Sequence, residues 1–271
     1  IPVYSDYYKN DNNNETKEFI NAIAGALLAV LFIFTIVVLI FTPVFILIFA
    51  PGFYIDPAKK DLSIQVLRIM FPYLALISLV AFASGIQNTH QKFSIPAFTP
   101  VVFNVILIVA ASVIAPNYNM PILVLAWGVL LAGFVQLIIQ ISPLINIDKL
   151  PVPKLDFNNE GVKKFMTIIL PAIIAGGILQ INLLIDTIFA SLLETGSPTW
   201  LYISDRLIQF PMGIFAIAIG TVLLPTLSKY DLSTEKNNFV STIKKGQKFV
   251  LFIGIPSLIG LFYCAEDLIS T

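Results

Sequence analysis

The 55 residues from Phe93 to Ile147 contain no charged side chain, and neither do the 37 from Phe19 to Ile55. No soluble fold explains runs of that length. A buried core helix rarely needs more than about 14 apolar residues, whereas crossing a bilayer takes about 20. The whole chain agrees. Of its 271 residues 57% are hydrophobic and 12% charged, against about 45–50% and 25% in soluble domains. Sixteen basic and sixteen acidic residues cancel, which leaves no basic face for nucleic acid. A single cysteine, Cys264, and a single histidine, His90, exclude an internal disulfide and any site built on two histidines. The composition predicts an all-α, polytopic membrane helical bundle.

Charge and turn residues divide the chain into about seven spans. Helix A is expected over roughly 20–49 and helix B over 64–88. The 55-residue run is broken at Pro116-Asn117-Tyr118-Asn119-Met120-Pro121, a turn composition, giving helix C near 97–115 and helix D near 121–142. Helices E, F and G follow over about 162–193, 199–227 and 239–265. The stretch 237–248 mixes apolar and basic residues and is expected to lie along the inner surface before helix G. Twelve of the sixteen Lys and Arg fall in the N-terminal segment and the B–C, D–E and F–G loops; four fall near the alternate loops. By the positive-inside rule the residue-1 side is cytoplasmic.

Prolines recur inside or at the ends of most spans: Pro43, Pro72, Pro96, Pro100, Pro171, Pro211, Pro225 and Pro256. Each interior proline removes a backbone hydrogen bond and kinks its helix. Bent helices suit a transporter with a cavity, although prolines are common in membrane helices generally. The chain starts without Met and stops just after an apolar run, and it reads as an internal piece of a longer protein.

Ionisable side chains inside a span cost roughly 2.5–3.5 kcal/mol each and mark functional candidates. Three stand out: Asp186 in helix E, and Asp205 with Arg206 in helix F. Asn182 lies one turn before Asp186 and shares its face, with Gly176 and Gly177 thinning the helix below. On helix F, Tyr202, Arg206, Gln209, Gly213, Ala216 and Gly220 step by four, three, four, three and four, one helical stripe. Leu207, Phe215 and Val222 take the opposite side. A guanidinium there is permanently charged and forked to match carboxylate or phosphate. Two readings stand side by side. Asp186 or Asp205 neutralises Arg206 and locks an E–F hairpin, or Arg206 faces a wet cavity and meets an anionic substrate while Asp186 and Asn182 serve a cation. Gln87, Asn88 and His90 read as cap and loop at the cytoplasmic end of helix B. Asn104 reads as an interhelical hydrogen bond, Trp127 as packing, Trp200 as interface belt and Cys264 as a small buried side chain.

Three stretches carry a family likeness. They are Ser94-Ile95-Pro96-Ala97-Phe98-Thr99-Pro100; Gln180-Ile181-Asn182 with Ile185-Asp186-Thr187; and Ser204-Asp205-Arg206-Leu207-Ile208-Gln209-Phe210-Pro211, followed by Gly220-Thr221-Val222-Leu223-Leu224-Pro225. Together they resemble the MurJ/MviN lipid II flippases of the multidrug/oligosaccharidyl-lipid/polysaccharide exporter superfamily. The likeness covers essentially all 271 residues but little over half of a family member, so helices A–G correspond to the third to ninth of fourteen. It implies two lobes, with 1–150 part of the N-terminal lobe (helices A–D) and 151–271 the start of the C-terminal lobe (helices E–G). It also implies a multi-pass protein of the bacterial inner membrane, not an enzyme, with lipid II and membrane lipids as partners, no nucleic acid, no cofactor, and a monomeric state. Lipid-linked peptidoglycan precursor would pass from inner to outer leaflet by alternating access. Arg206 would engage its pyrophosphate, beside Gln209, Asp205, Tyr202 and Asn182. Asp186 matches a position that contributes to a sodium site in some members. The family often has Glu where this chain has Gln209, which removes a salt-bridge or proton role there, and the piece alone is not expected to transport. Rival readings are an exporter of another cargo from the same superfamily, a polyprenyl-phosphate transferase and a structural subunit. The spans carry no paired acidic motif for a transferase's magnesium.

Overall fold

A computed structural model of the chain describes residues 2–9, 13–156, 159–213, 223, 227 and 236–270. Among these, all regular structure is helical, as the uncharged runs demand: in hydrocarbon each backbone group must find its partner within its own segment. Six helices are long and apolar enough to cross a membrane: Asn14–Ile40, Pro57–Thr89, Ser94–Asn117, Pro121–Asn146, Gly161–Leu192 and Asn237–Asp267. The protein is a multi-pass membrane protein. Helix F, the remaining expected span, lies partly outside the described residues.

The chain forms two compact units, Ile1–Leu192 and Leu193–Thr271. The first begins with α1 (Pro2–Lys9) and α2 (Asn13–Ile40). Helix A does not run unbroken to 49: it stops at Ile40, and α3 (Thr42–Phe49) and α4 (Pro51–Ile55) continue the chain. Pro43 causes the first break, because it has no N–H to offer the Leu39 carbonyl. The buried Thr42 hydroxyl takes over, donating towards Leu39 O at 3.0 Å and Val38 O at 2.8 Å. Helix B starts at 57 rather than 64. Asp56 is its cap, its Oδ1 accepting from the amides of Ala58 at 3.0 Å and Lys59 at 3.4 Å, with Pro57 in the first turn where a missing N–H costs nothing. It comprises α5 (Pro57–Met70) and α6 (Pro72–Thr89).

Helix C is α7 (Ser94–Val109), widened into a π-turn at Ala110–Ile114 and closed by a 3₁₀ turn over Ala115–Asn117. The expected turn follows, and α8 (Pro121–Asn146) opens on Pro121. This helix is the spine of the first unit and packs along α5, α6 and α7. Its small and polar residues Ala126, Gly128, Ala132, Gly133, Gln136 and Gln140 are buried. The extended linker after it is held on α2: the amides of Val152 and Lys154 donate to Asn21 Oδ1 at 2.7 Å and to Asn21 O at 3.0 Å. One turn on, a Cβ at Gly25 would stand 2.2 Å from Lys154 O, so only glycine admits that approach. Next comes α9 (Glu160–Leu192), which packs on α1 to α4. Val3, Tyr4, Phe19, Ile20, Ile23, Ile86, Leu144 and Val162 form the buried core that joins α1, α2, α6, α8 and α9.

The second unit contains α10 (Ser197–Pro211) and α11 (Lys236–Ser270), which pack together. Gly196, at φ +109°, makes the turn into α10, where the Gly196 carbonyl accepts from Trp200 N at 2.9 Å. The stretch 237–248 is not a separate surface helix: α11 runs unbroken through it. Cys264 is exposed rather than buried.

Candidate functional site

The polar stripe expected on helix F is present on α10, in the second unit. The Arg206 guanidinium carbon sits 5.0 Å above the Tyr202 ring centroid, a cation–π distance, and Arg206 Nη1 donates to Gln209 Oε1 at 3.3 Å. The sequence dictates this placement, since residues four before and three after an arginine on a helix are its neighbours on one face. Arg206, Tyr202 and Gln209 are exposed, and Asp205 is half-buried. No described carboxylate of this unit pairs with Arg206; the described ion pairs are Lys17–Asp148 and Lys59–Asp56. Asp205 therefore does not neutralise it among the described residues. The guanidinium is oriented by a ring and an amide, and most of its donors remain available. A Cβ at Gly213 would meet nothing within 4 Å. Ala216, Gly220, Phe215 and Val222 fall outside the described residues, as do the residues of the Gly220–Pro225 stretch other than Leu223.

Asp186 and Asn182 lie in the first unit on α9, exposed and one turn apart as expected. Neither has a hydrogen-bond partner among the described residues. Together they offer two hard oxygen donors on one helix face, the donor type that a monovalent cation takes. Gly176 and Gly177 have open space where a Cβ would go. They are not contact points for close helix packing among the described residues.

Three lesser expectations fail. Gln87 is not a surface cap. It is fully buried and donates from Nε2 to Gln140 Oε1 of α8, because its position on α6 faces α8. Asn104 makes no interhelical hydrogen bond among the described residues; it is exposed and lines a groove between α6 and α7. Trp127 is 59% exposed, since α8 packs through its small residues and turns Trp127 the other way. Trp200 is also exposed, at 48%. His90, as expected, ends α6, with its amide bonded to Ile86 O at 3.3 Å.

Sequence reading passed over a polar cluster on three helices. Gln136 and Gln140 sit four apart on α8, buried. Gln140 Nε2 donates to Ser84 Oγ and Thr99 Oγ1, each at 3.0 Å, and Gln136 Nε2 to Thr99 O at 3.0 Å. Two amides at helical spacing inside an uncharged run were the signal that could have found it.

The lipid II flippase MurJ family matches residues 1–271. The chain is 38% identical to a probable lipid II flippase MurJ of Vibrio cholerae, over 99% of this chain and 53% of that one. It is 32% identical to a lipid II flippase MurJ of Burkholderia cenocepacia, over 100% and 53%. A solved lipid II flippase MurJ in an inward closed conformation matches with a TM-score of 0.76 at 24% identity, covering 97% of this chain and 54% of the other; that match speaks for the fold. The chain spans about half the length of the curated relatives it matches.

Proposed function

The chain belongs to the lipid II flippase MurJ family, and from that premise we propose that the complete protein carries lipid-linked peptidoglycan precursor from the inner to the outer leaflet of the bacterial inner membrane. Transport proceeds by alternating access between two lobes, of which residues 1–150 and 151–271 each form part, and it makes and breaks no covalent bond. The protein works as a monomer, with lipid II as cargo. A diphosphate headgroup cannot cross hydrocarbon unshielded, so a flippase requires a fixed cation inside a hydrated cleft.

Arg206 is that cation. The observation that carries the reading is its setting: a permanently charged fork, exposed, steadied by Tyr202 and Gln209 and free of any described carboxylate in its own unit. A neutral amide at Gln209 orients the guanidinium without cancelling its charge, so the full cationic field stays available to pyrophosphate oxygens. In a cell depleted of its own flippase, Arg206→Ala in the full-length protein abolishes complementation at normal protein level. Arg206→Lys restores only part of it, because an ammonium lacks the fork. Full complementation by Arg206→Ala overturns the assignment.

Asp186, with Asn182 one turn before it, contributes to a sodium site that couples transport to the ion gradient. Asp186→Asn then weakens or removes the dependence of lipid II translocation on sodium concentration. A variant with the wild-type sodium curve returns Asp186 to a structural role.

A further inference from the structure

The buried glutamines of the first unit have a determinate hydrogen-bond polarity, and it leaves two atoms over. Amide oxygen and nitrogen are assigned from their partners, and here backbone carbonyls fix the assignment. Thr99 O can only accept, so Gln136 must turn its NH₂ towards it. The Thr99 hydroxyl has one hydrogen and gives it to Ile95 O at 2.9 Å. Thr99 Oγ1 therefore accepts from Gln140, which must also turn its NH₂ that way. Gln140 then presents its oxygen to Gln87, so Gln87 must donate. Each step forces the next. The leftover atoms are both acceptors: Gln87 Oε1 and Gln136 Oε1, buried and without a partner among the described residues.

These two oxygens stand at opposite ends of the hydrogen-bonded chain, and each belongs to a residue that lines a groove. Gln87 lines one of about 470 Å³ at the turn between α6 and α7, together with Gln91, Lys92, Ser94 and Asn146. Gln136 lines the other, of about 340 Å³, with Tyr73, Ser84, Thr99 and Asn104. Asn104 is ten residues into α7 and Gln136 ten residues from the end of α8. At 1.5 Å per residue both lie about 15 Å in, the middle of a hydrocarbon layer about 30 Å thick. Leaving an acceptor such as Gln136 Oε1 unpaired at that depth is costly, because no water or chain partner replaces the bond it loses. A ligand that relieves this must be a hydrogen-bond donor, must be small, and must tolerate neutral surroundings.

We propose that the groove lined by Tyr73, Ser84, Asn104 and Gln136 is a hydrated recess at mid-membrane depth, its water held by Gln136 Oε1, with a second water site on Gln87 Oε1 at the α6–α7 turn. Five of its eleven lining residues carry a polar group, and the groove has room, which are the two requirements for internal water; Gln136 Oε1 is itself closed off in this packing, so water reaches it as the helices part. Water here lets α6, α7 and α8 shift against one another while their polar groups exchange partners, which a dry glutamine cluster forbids. The assignment is independent of Arg206 and concerns a different unit.

A thiol reports water directly, because methanethiosulfonates attack the thiolate and a thiol in apolar surroundings stays protonated. In full-length protein carrying Cys264→Ala and reconstituted in nanodiscs, with both faces open, Asn104→Cys is compared with Val105→Cys. The latter lies at the same depth, half exposed in an apolar groove of about 580 Å³ on the other side of α7. A charged, membrane-impermeant methanethiosulfonate labels Asn104→Cys at least tenfold faster than Val105→Cys, and equal rates overturn the recess. Adding Gln136→Met, which keeps side-chain length and removes the acceptor, slows labelling of Asn104→Cys several-fold; an unchanged rate removes Gln136 as the group that holds the water. The Asn104/Val105 comparison stands even if Gln136→Met fails to fold.

Discussion

At the scale of single residues, three titratable groups with displaced protonation, Asp148, Lys149 and His90, gather at one end of the first unit. Asp148, in the left-handed region at φ +54°, ends α8 and pairs with Lys17. That hydrogen bond, then the Lys17 charge, holds its carboxyl below the usual carboxylate range. Lys149 beside it is buried and lowered by that burial and by Lys17, against the opposing pull of Asp148. His90 bonds Tyr4 Oη at 2.7 Å; burial first, then Lys149, holds the imidazole below its ordinary 6.5. As pH falls through 6.5 the unfolded chain takes a proton that the folded chain declines, so stability is intact above that pH and drops below it. Asp148 adds a loss only at lower pH still, below the ordinary carboxylate value. The heat-denaturation midpoint therefore falls between pH 7.5 and 5.5. It falls less in His90→Gln, which does not titrate and can still accept from Tyr4. Parallel curves for the two proteins would refute the assignment. This cluster was hidden in the sequence because its members are 86 and 131 residues apart. The stripe Tyr202–Arg206–Gln209, by contrast, was legible, because local helical spacing alone decides it. Gln87 was misplaced for a related reason: its nearness to a helix end was visible, and the partner 53 residues on was not.

At the scale of elements, the existence of each span followed from the uncharged runs, whereas its ends depended on local chemistry that hydropathy does not see. Helix B begins seven residues early because an Asp–Pro cap admits charged residues into the first turns. Helix A ends early because Pro43 breaks its ladder. Glycines show the same division. A Cβ at Gly52 in α4 would stand 1.7 Å from Ser191 O at the end of α9, while the Gly52 amide bonds Ser191 Oγ at 3.2 Å. A Cβ at Gly176 in α9 would meet nothing within 4 Å. In sequence the two are indistinguishable; in the fold they have opposite consequences. Gly52→Ala forces backbone apart and destabilises by about 1–3 kcal/mol. Gly176→Ala relieves glycine's entropic cost in a helix interior and gains about 0.5–1 kcal/mol. Thermal unfolding of the purified protein reads both, with the midpoint lowered for the first and level or raised for the second. A Gly52→Ala protein that melts with the wild type would show that α4 does not bear on α9.

At the scale of the molecule, composition decides the solvent and charge decides the direction. Twelve of sixteen Lys and Arg lie in alternate connections or in the helical turns that flank them, and each is far costlier to carry across a membrane than to leave behind. By the positive-inside rule the bias predicts which loops stay in the cytoplasm. It also depends on the span count: one helix more or fewer would send every such residue beyond it to the wrong side. Six spans are described; the odd number that the charge pattern requires between residue 1 and the end of helix G needs helix F as a seventh, and helix F lies partly outside the described residues. A reporter fused after Asn119, in the turn between α7 and α8, is exported, and alkaline phosphatase there is active while green fluorescent protein is dark. Fusion after Lys154, in the linker held on α2, gives the reverse. Should both sites report the same side, the count of spans between them is wrong, and α8 does not cross the membrane. Should both be inverted, the count stands and the charge rule fails.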